Sequence, residues 1–394
     1  MIPWLLQYLE KAFLMHIPAV FNYTSTRVIM AACTALALVL IFGGQFIKKL
    51  YELKIGQPIR EDTGFLLGEL HKNKKNTPTM GGALILFALM SSMLLWMNLA
   101  HPFTWILFIT LVVLGFLGGY DDYLKLKYKN SKGLSARKKL IVQFAVAFAV
   151  IAYLQLPQIT ALCKLSTPIV KDVAHAGQEL SLQEYTARLY VPFFKEPVVI
   201  FSGLGLVVLW IFLSFVIVGS SNAANLTDGL DGLASGLLIF VTVALGAIAF
   251  LSNNLEFASY LNLLYIEGAG EIAIFMAAMC GSLLGFLWYN SHPAQVFMGD
   301  IGSLALGGAI GVAAVLLRRE FFLGIVGAIF VAEALSVILQ VTSFRYFNKK
   351  RIFRCAPLHH HFEYLGWPET KVVIRFWIIG FLLCLIGLGS IKFQ

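Results

Sequence analysis

Apolar runs of about 20 residues recur along this chain, each long enough to cross the roughly 30 Å of bilayer hydrocarbon as a helix. VVLWIFLSFVIVG (207–219) lies within one of them. Only helix bundles and closed barrels satisfy their backbone groups in lipid. A barrel would read as short alternating strands, and the sequence shows none. The expectation is therefore an all-α polytopic membrane protein of about ten transmembrane helices. They lie near 25–47, 80–98, 102–120, 138–156, 198–219, 233–251, 271–290, 302–317, 321–343 and 372–391. The eighth is short, and 219–232 leaves room for an additional half-helix. A chain that is 59% hydrophobic and 13% charged fits one membrane domain better than several soluble ones. We read 1–394 as that single domain, with 157–197 as an extracytoplasmic insertion within it. No compact apolar core followed by a small-residue cleavage site marks a removable leader.

The net charge of +9 raises the question of nucleic acid, and its distribution answers it. Segments 48–75, 125–139 and 345–375 hold seven Lys or Arg each, 21 of the chain's 30. All three lie on one side of a ten-span chain, the positive-inside pattern, so they are assigned to the cytoplasm and both termini to the outside. No nucleic-acid partner is expected. Arg318 and Arg319 fall on the outer side against the trend. The five cysteines (Cys33, Cys163, Cys280, Cys355, Cys384) are scattered without a CxxC pair, so neither a disulfide framework nor a zinc site is indicated. They read as packing residues, with Cys163 set apart in a polar loop.

Against this apolar background, acidic motifs stand out, and they fall on one face. GGYDDYLK carries Asp121 and Asp122 at the end of the third span, NLTDGLDG carries Asp228 and Asp231 after the fifth, and VFMGDIGS carries Asp300 between the seventh and eighth. PLHHHFE, with His359, His360 and His361, lies in the last basic loop. Carboxylates at membrane depth are costly unless paired or bound to a cation. Converging beside Lys and His, they suit a hydrated Mg²⁺ that holds a phosphorylated substrate. Glycines beside them allow close backbone approach to a ligand.

Each motif also has an ordinary reading. Asp121–Asp122 fit end-of-helix charges as well as they fit catalysis. NLTDGLDG fits a helix start with Asp228 or Asp231 as N-cap. Three histidines fit a solvated loop or a fortuitous zinc site. Convergence on one face is what favours function. There is no GxxxxGK[ST] phosphate loop and no GxSxG elbow. Glu333, inside the ninth span, fits a proton relay, a buried hydrogen bond or a subunit contact. Gly pairs such as Gly115/Gly119 and Gly281/Gly285 mark close helix packing.

Taken in order, TPTMGG (77–82), GGYDDYLK (118–125), GLSARKK (133–139), VPFFK (191–195), NAANLTDGLDGLA (222–234), ASYL (258–261), PAQVFMGDIGSLALGG (293–308), RIFRCAPLHHHFEYLGW (351–367) and RFWII (375–379) resemble the phospho-N-acetylmuramoyl-pentapeptide transferases. These belong to the polyprenyl-phosphate N-acetylhexosamine-1-phosphate transferases. The resemblance covers nearly the whole chain; the loop 157–197 is longer than the family's usual form. It implies ten transmembrane helices, usually in a homodimer, with a cytoplasmic cleft, in the bacterial cytoplasmic (inner) membrane. It implies Mg²⁺, UDP-N-acetylmuramoyl-pentapeptide and the membrane lipid undecaprenyl phosphate, with lipid I and UMP as products in peptidoglycan biosynthesis.

For individual residues the resemblance implies Asp300 as metal ligand and Asp121 as the base acting on the lipid phosphate. Asp122 would position that group or the metal, and Lys125 would neutralise phosphate charge. The uridine end would use Asn225, Asp228, Asp231 and Asn290, with Phe297 stacking on uracil and Lys74 as a nucleotide-side lysine. Thr79 would bind substrate, and His359 and His360 would contact phosphate or substrate, with His359 part of the catalytic group. Direct attack by the lipid phosphate is preferred over an aspartyl-phosphate intermediate. Two other functions are weighed. A sister transferase would use UDP-N-acetylglucosamine. An ion-coupled transporter would place its acids near the midplane, often in paired repeats, and neither is seen.

Overall fold

The computed structural model describes residues 19–53, 77–128, 133–162, 167–173, 177–347 and 349–392, with the isolated positions 2 and 12. Lys74, Cys163 and most of the first basic segment lie outside them. Ten helices carry the fold: α1 (Thr24–Glu52), α2 (Gly82–Trp96), α3 (Pro102–Lys127), α4 (Ala136–Gln155), α5 (Gly205–Thr227), α6 (Leu233–Ser252), α7 (Ala269–Asn290), α8 (Gly299–Leu316), α9 (Ala328–Tyr346) and α10 (Glu369–Lys392). Among the described residues nine are long and apolar enough to span a bilayer, and α2, with 15 residues, is shorter. The ten expected spans match these ten helices one for one.

The boundaries differ where polar residues enter the helices. α3 continues through Asp121 and Asp122 because Lys125 lies one turn on and pairs with both. α5 runs to Thr227, so no separate half-helix occupies 219–232; a five-residue turn, 228–232, leads into α6. The ninth span starts late, at Ala328, because Gly327 separates it from the short helix Glu320–Val326.

α8 is the centre of the bundle, with nearly every residue buried. It packs chiefly against α3 and α5, while α7 packs against α1 and α6. Small residues permit this. At Gly118 of α3 an added Cβ would overlap the backbone carbonyl of Asp300 on α8. Asp121 and Asp122 lie three and four residues beyond Gly118, on the same face, so the close crossing carries both carboxylates to Asp300. Polar side chains bind the same helices near this end. Gln143 Nε2 of α4 donates to Ser221 Oγ of α5 at 2.9 Å, Ser221 Oγ donates to the Leu304 carbonyl of α8 at 2.8 Å, and Asn222 Nδ2 donates to Gln143 Oε1 at 2.9 Å. Such bonds average about 0.6 kcal/mol each between membrane helices, so here they set register more than stability.

At the other end, the described residues of 157–197 form short helices and strands. β1 (Val170–Asp172) pairs antiparallel with β2 (Gln178–Leu180) and with β5 (Tyr265–Ile266), which belongs to the α6–α7 connection. β3 (Arg188–Leu189) pairs with β4 (Val199–Ile200). This end also holds two buried ion pairs. Arg27 meets Glu271 at 2.7 Å, and Arg318 meets Glu320 at 2.6 Å with both side chains 0% exposed. Arg318 and Arg319 are therefore interior groups, which explains their exception to the surface charge pattern.

Candidate active site

The described parts of five connections lie at the end of the bundle opposite the small sheets, and each brings polar residues there. Gly299, at φ 74°, is the pivot of one of them. A Cβ there would press on Asp122 Oδ2 and Thr79 Oγ1, so only glycine lets the 291–298 connection enter α8 beside α3. The same connection is zipped to 77–82. Phe297 N donates to Pro78 O, Gly81 N to Phe297 O and Gly82 N to Met298 O, each at 2.8 Å. Thr79 and Phe297 are thereby fixed at the edge of the acidic site, Thr79 buried and Phe297 half-buried.

Asp121, Asp122 and Asp300 each present a carboxylate oxygen within 4.8 Å of the others. Asp121 is fully buried; its Oδ1 accepts from Leu134 N at 2.6 Å, and its Oδ2 lies 2.7 Å from Lys125 Nζ and 2.8 Å from Lys139 Nζ. Asp122 Oδ2 accepts from Ile301 N at 3.1 Å, in the first turn of α8. Asp300 Oδ2 meets Lys139 at 2.7 Å and Lys125 at 3.1 Å, while Oδ1 accepts from Asn225 Nδ2 at 2.9 Å. Three carboxylates with oxygen donors only have the chemistry of a hard divalent cation site. Two ammonium groups shared among them make the same place receptive to phosphate oxygens.

Asp228, half-buried in the turn after α5, has its carboxyl pushed up to about 7, first by desolvation and then by the Asp300 and Asp122 carboxylates. Asn225 and Asp228 thus stand with the aspartate cluster. Asp231 and Asn290 stand apart from it. Gly232, at φ 78°, ends the turn, and Asp231 Oδ2 points to His292 Nδ1 at 3.0 Å and accepts from Ala294 N at 3.1 Å. Glu369 Oε1 accepts from Asp231 N at 2.7 Å, and Glu369 Oε2 lies 3.7 Å from the His292 ring. Asn290 is committed to the protein: Oδ1 accepts from Gly232 N and Ser235 Oγ, and Nδ2 donates to Val296 O. Asp231, His292 and Glu369 form a second group of metal-ligand type, and His292 and Glu369 carry no expectation from sequence.

His359 and His360 occupy the short helix Leu358–Tyr364, between α9 and α10. The His359 ring abuts Gly229, next to Asp228, so the histidine loop joins the site through the 228–232 turn. Its Nδ1 faces Glu333, and His360 Nδ1 faces Glu363 Oε2 at 2.7 Å. Of the readings open to Glu333, the buried hydrogen bond is present, donated by His359 N. Lys139 is the clearest residue that sequence reading passed over. Its signal in the sequence is the motif GLSARKK (133–139), of which it is the last residue.

The chain matches the family described as Glycosyl transferase family 4 over residues 104–318, and Phospho-N-acetylmuramoyl-pentapeptide-transferase signature 1 over residues 74–86. It is 58% identical over 410 residues to a phospho-N-acetylmuramoyl-pentapeptide-transferase of Protochlamydia amoebophila (strain UWE25), with 100% of both chains covered. Proteins of that name from Neisseria gonorrhoeae (strain NCCP11945) and Neisseria meningitidis serogroup C (strain 053442) are each 48% identical over 375 residues, covering 95% of this chain and 96% of theirs. With its helices, its aspartate motifs and its full-length relatives in agreement, the chain belongs to the phospho-N-acetylmuramoyl-pentapeptide-transferase family.

Proposed function

We propose that this protein transfers phospho-N-acetylmuramoyl-pentapeptide from its UDP donor to undecaprenyl phosphate, giving lipid I and UMP. The observation that carries the reading is the meeting of Asp121, Asp122 and Asp300 with Lys125 and Lys139 at helix ends. A lipid phosphate lies at that depth, and a soluble nucleotide can reach it. The basic segments beside the site orient it to the cytoplasm of the bacterial inner membrane. A homodimer is the expected assembly.

Asp300, with Asp122 beside it, would hold Mg²⁺, which when bound would supply charge to the diphosphate oxygens and the leaving UMP. The chain's own groups do the rest. Lys125 and Lys139 turn from carboxylate to phosphate oxygens as the substrates enter, which frees Asp121. Asp121 takes the remaining proton of the lipid phosphate monoester. That oxygen attacks the sugar-bound phosphorus, the bond to the UMP phosphate breaks, and UMP leaves. Asn225 fixes Asp300, and Thr79 lines its edge. Asp228, Asp231, Asn290 and Phe297 shape the uridine end, with Lys74 on the nucleotide side and His359 and His360 at the phosphate or sugar.

The test is UMP release by protein purified in detergent, with UDP-N-acetylmuramoyl-pentapeptide and undecaprenyl phosphate. Release should need both substrates, stop on chelation, and return with Mg²⁺. Asp231→Asn and Asp300→Asn should each abolish it in folded protein. Better turnover of UDP-N-acetylglucosamine would move the protein to the sister activity. Absence of release with either donor would refute the reading. Exchange of labelled UMP into the donor without lipid would replace direct attack by an aspartyl-phosphate route.

A further inference from the structure

Glu333 lies within α9, is 0% exposed, and takes no part in the steps above. A carboxylate in a membrane helix is expensive and rarely idle. Its Oε1 accepts from the backbone N–H of His359 at 3.1 Å, and its Oε2 stands 3.2 Å from His359 Nδ1. One carboxylate therefore holds the backbone of a buried histidine by a hydrogen bond and faces its ring at ion-pair distance. The opposite ring nitrogen, Nε2, faces Gly229 so closely that any side chain there would overlap it. The His360 ring lies against the His359 ring at 4.2 Å and is backed in the same way, Nδ1 to Glu363 Oε2 at 2.7 Å. His360 is thus held through Nδ1, His359 turns the same nitrogen toward a carboxylate, and in each ring Nε2 is the nitrogen turned away from it.

A carboxylate at Nδ1 sets the tautomer and the ring orientation and stabilises the imidazolium. We infer that Glu333 is the positioning residue for His359, holding the ring with Nε2 presented to the Asp228–Gly229 turn. The inference rests on the reading of His359 as part of the transfer site. The titratable groups around the ring are Glu333 from α9, His360 and Glu363 on its own short helix, and Asp228 beside the glycine it abuts.

Glu333→Gln removes the charge at nearly constant volume. It should lower kcat about tenfold while leaving KM for the UDP donor nearly unchanged. Glu333→Asp keeps the charge and should recover most of that rate. Equal losses in the two variants would make Glu333 a packing residue and overturn the inference.

A second readout does not use turnover. Nitrogen-15 histidine spectra of the full chain in detergent, with His359→Gln to assign the signal, should show His359 protonated at Nδ1, and Glu333→Gln should lose that preference. An Nε2-protonated wild type would also overturn the inference. Failure to release UMP would strike the transfer reading alone, since the spectra would still decide the role of Glu333.

Discussion

Lys139 Nζ stands 2.7 Å from Asp300 Oδ2 and 2.8 Å from Asp121 Oδ2, so one ammonium ties α4 to both α8 and α3. Lys125 bridges the same two carboxylates from α3. Two ammonium groups against three carboxylates leave the cluster one charge negative, a balance that favours a divalent cation and still tolerates phosphate. Lys139→Gln should lower UMP release by about 10²–10³-fold, the loss typical of one charged donor at a developing anion. The variant cluster is more negative, so half-maximal activity should need less Mg²⁺. A rate near wild type would remove Lys139 from the reaction.

Gly118 and Gly119 are adjacent, yet they should respond differently to a side chain. A Cβ at Gly118 meets the Asp300 backbone, which cannot yield cheaply, whereas one at Gly119 meets Ile301 Cδ1, the end of a flexible side chain, at 3.2 Å. Gly118→Ala should therefore lower the thermal midpoint, for a cost of about 1–3 kcal/mol. It should lower activity further, because it separates Asp121 and Asp122 from Asp300. Gly119→Ala should do neither to a comparable degree. Equal effects would show that the α3–α8 crossing is not what sets the carboxylates.

The ten helices were legible because apolar length is a property of each segment alone, and the aspartate motifs were legible because carboxylates are scarce in such a chain. Lys139 was not. It sits among seven basic residues whose common explanation is membrane orientation, and only the phase of α4 turns Lys139 inward while Lys138 is exposed. The split between Asp228 and Asp231 was hidden for a related reason. Three residues apart in one motif, they reach different surroundings because the 228–232 turn closes at Gly232 with positive φ. His292 and Glu369 join Asp231 from 61 and 138 residues away, a juxtaposition no local pattern encodes.

At the opposite end, the Arg318–Glu320 pair is sealed from solvent, and Arg318 also donates to the Arg188 carbonyl at 3.0 Å through Nε and 2.7 Å through Nη2. Removing one partner strands the other charge. Glu320→Ala should cost about 3–5 kcal/mol of stability, seen as a lower midpoint in detergent. The folded fraction should keep its rate of UMP release, since the pair lies across the bundle from the aspartates. A rate that fell with the midpoint unchanged would link this end to the chemistry instead.

His101 caps α3 with a ring nitrogen where Ser or Asp is more usual: its Nδ1 accepts from Phe103 N at 3.3 Å. The cap works only while Nδ1 is unprotonated. Burial also pushes the imidazole below its ordinary 6.5, with Glu271 and Glu267 opposing the shift in part. The native state therefore holds its proton less tightly than the unfolded chain. The stability this contributes is complete above about pH 6.5, and it is lost as pH falls below that value, where the unfolded chain gains the proton first. Asn is a favoured N-cap, so His101→Asn keeps an acceptor and removes the titration. Between about pH 7.5 and pH 5.5 the wild-type midpoint should fall further than that of the variant. Parallel declines would mean that His101 is not the group that weakens this end in acid.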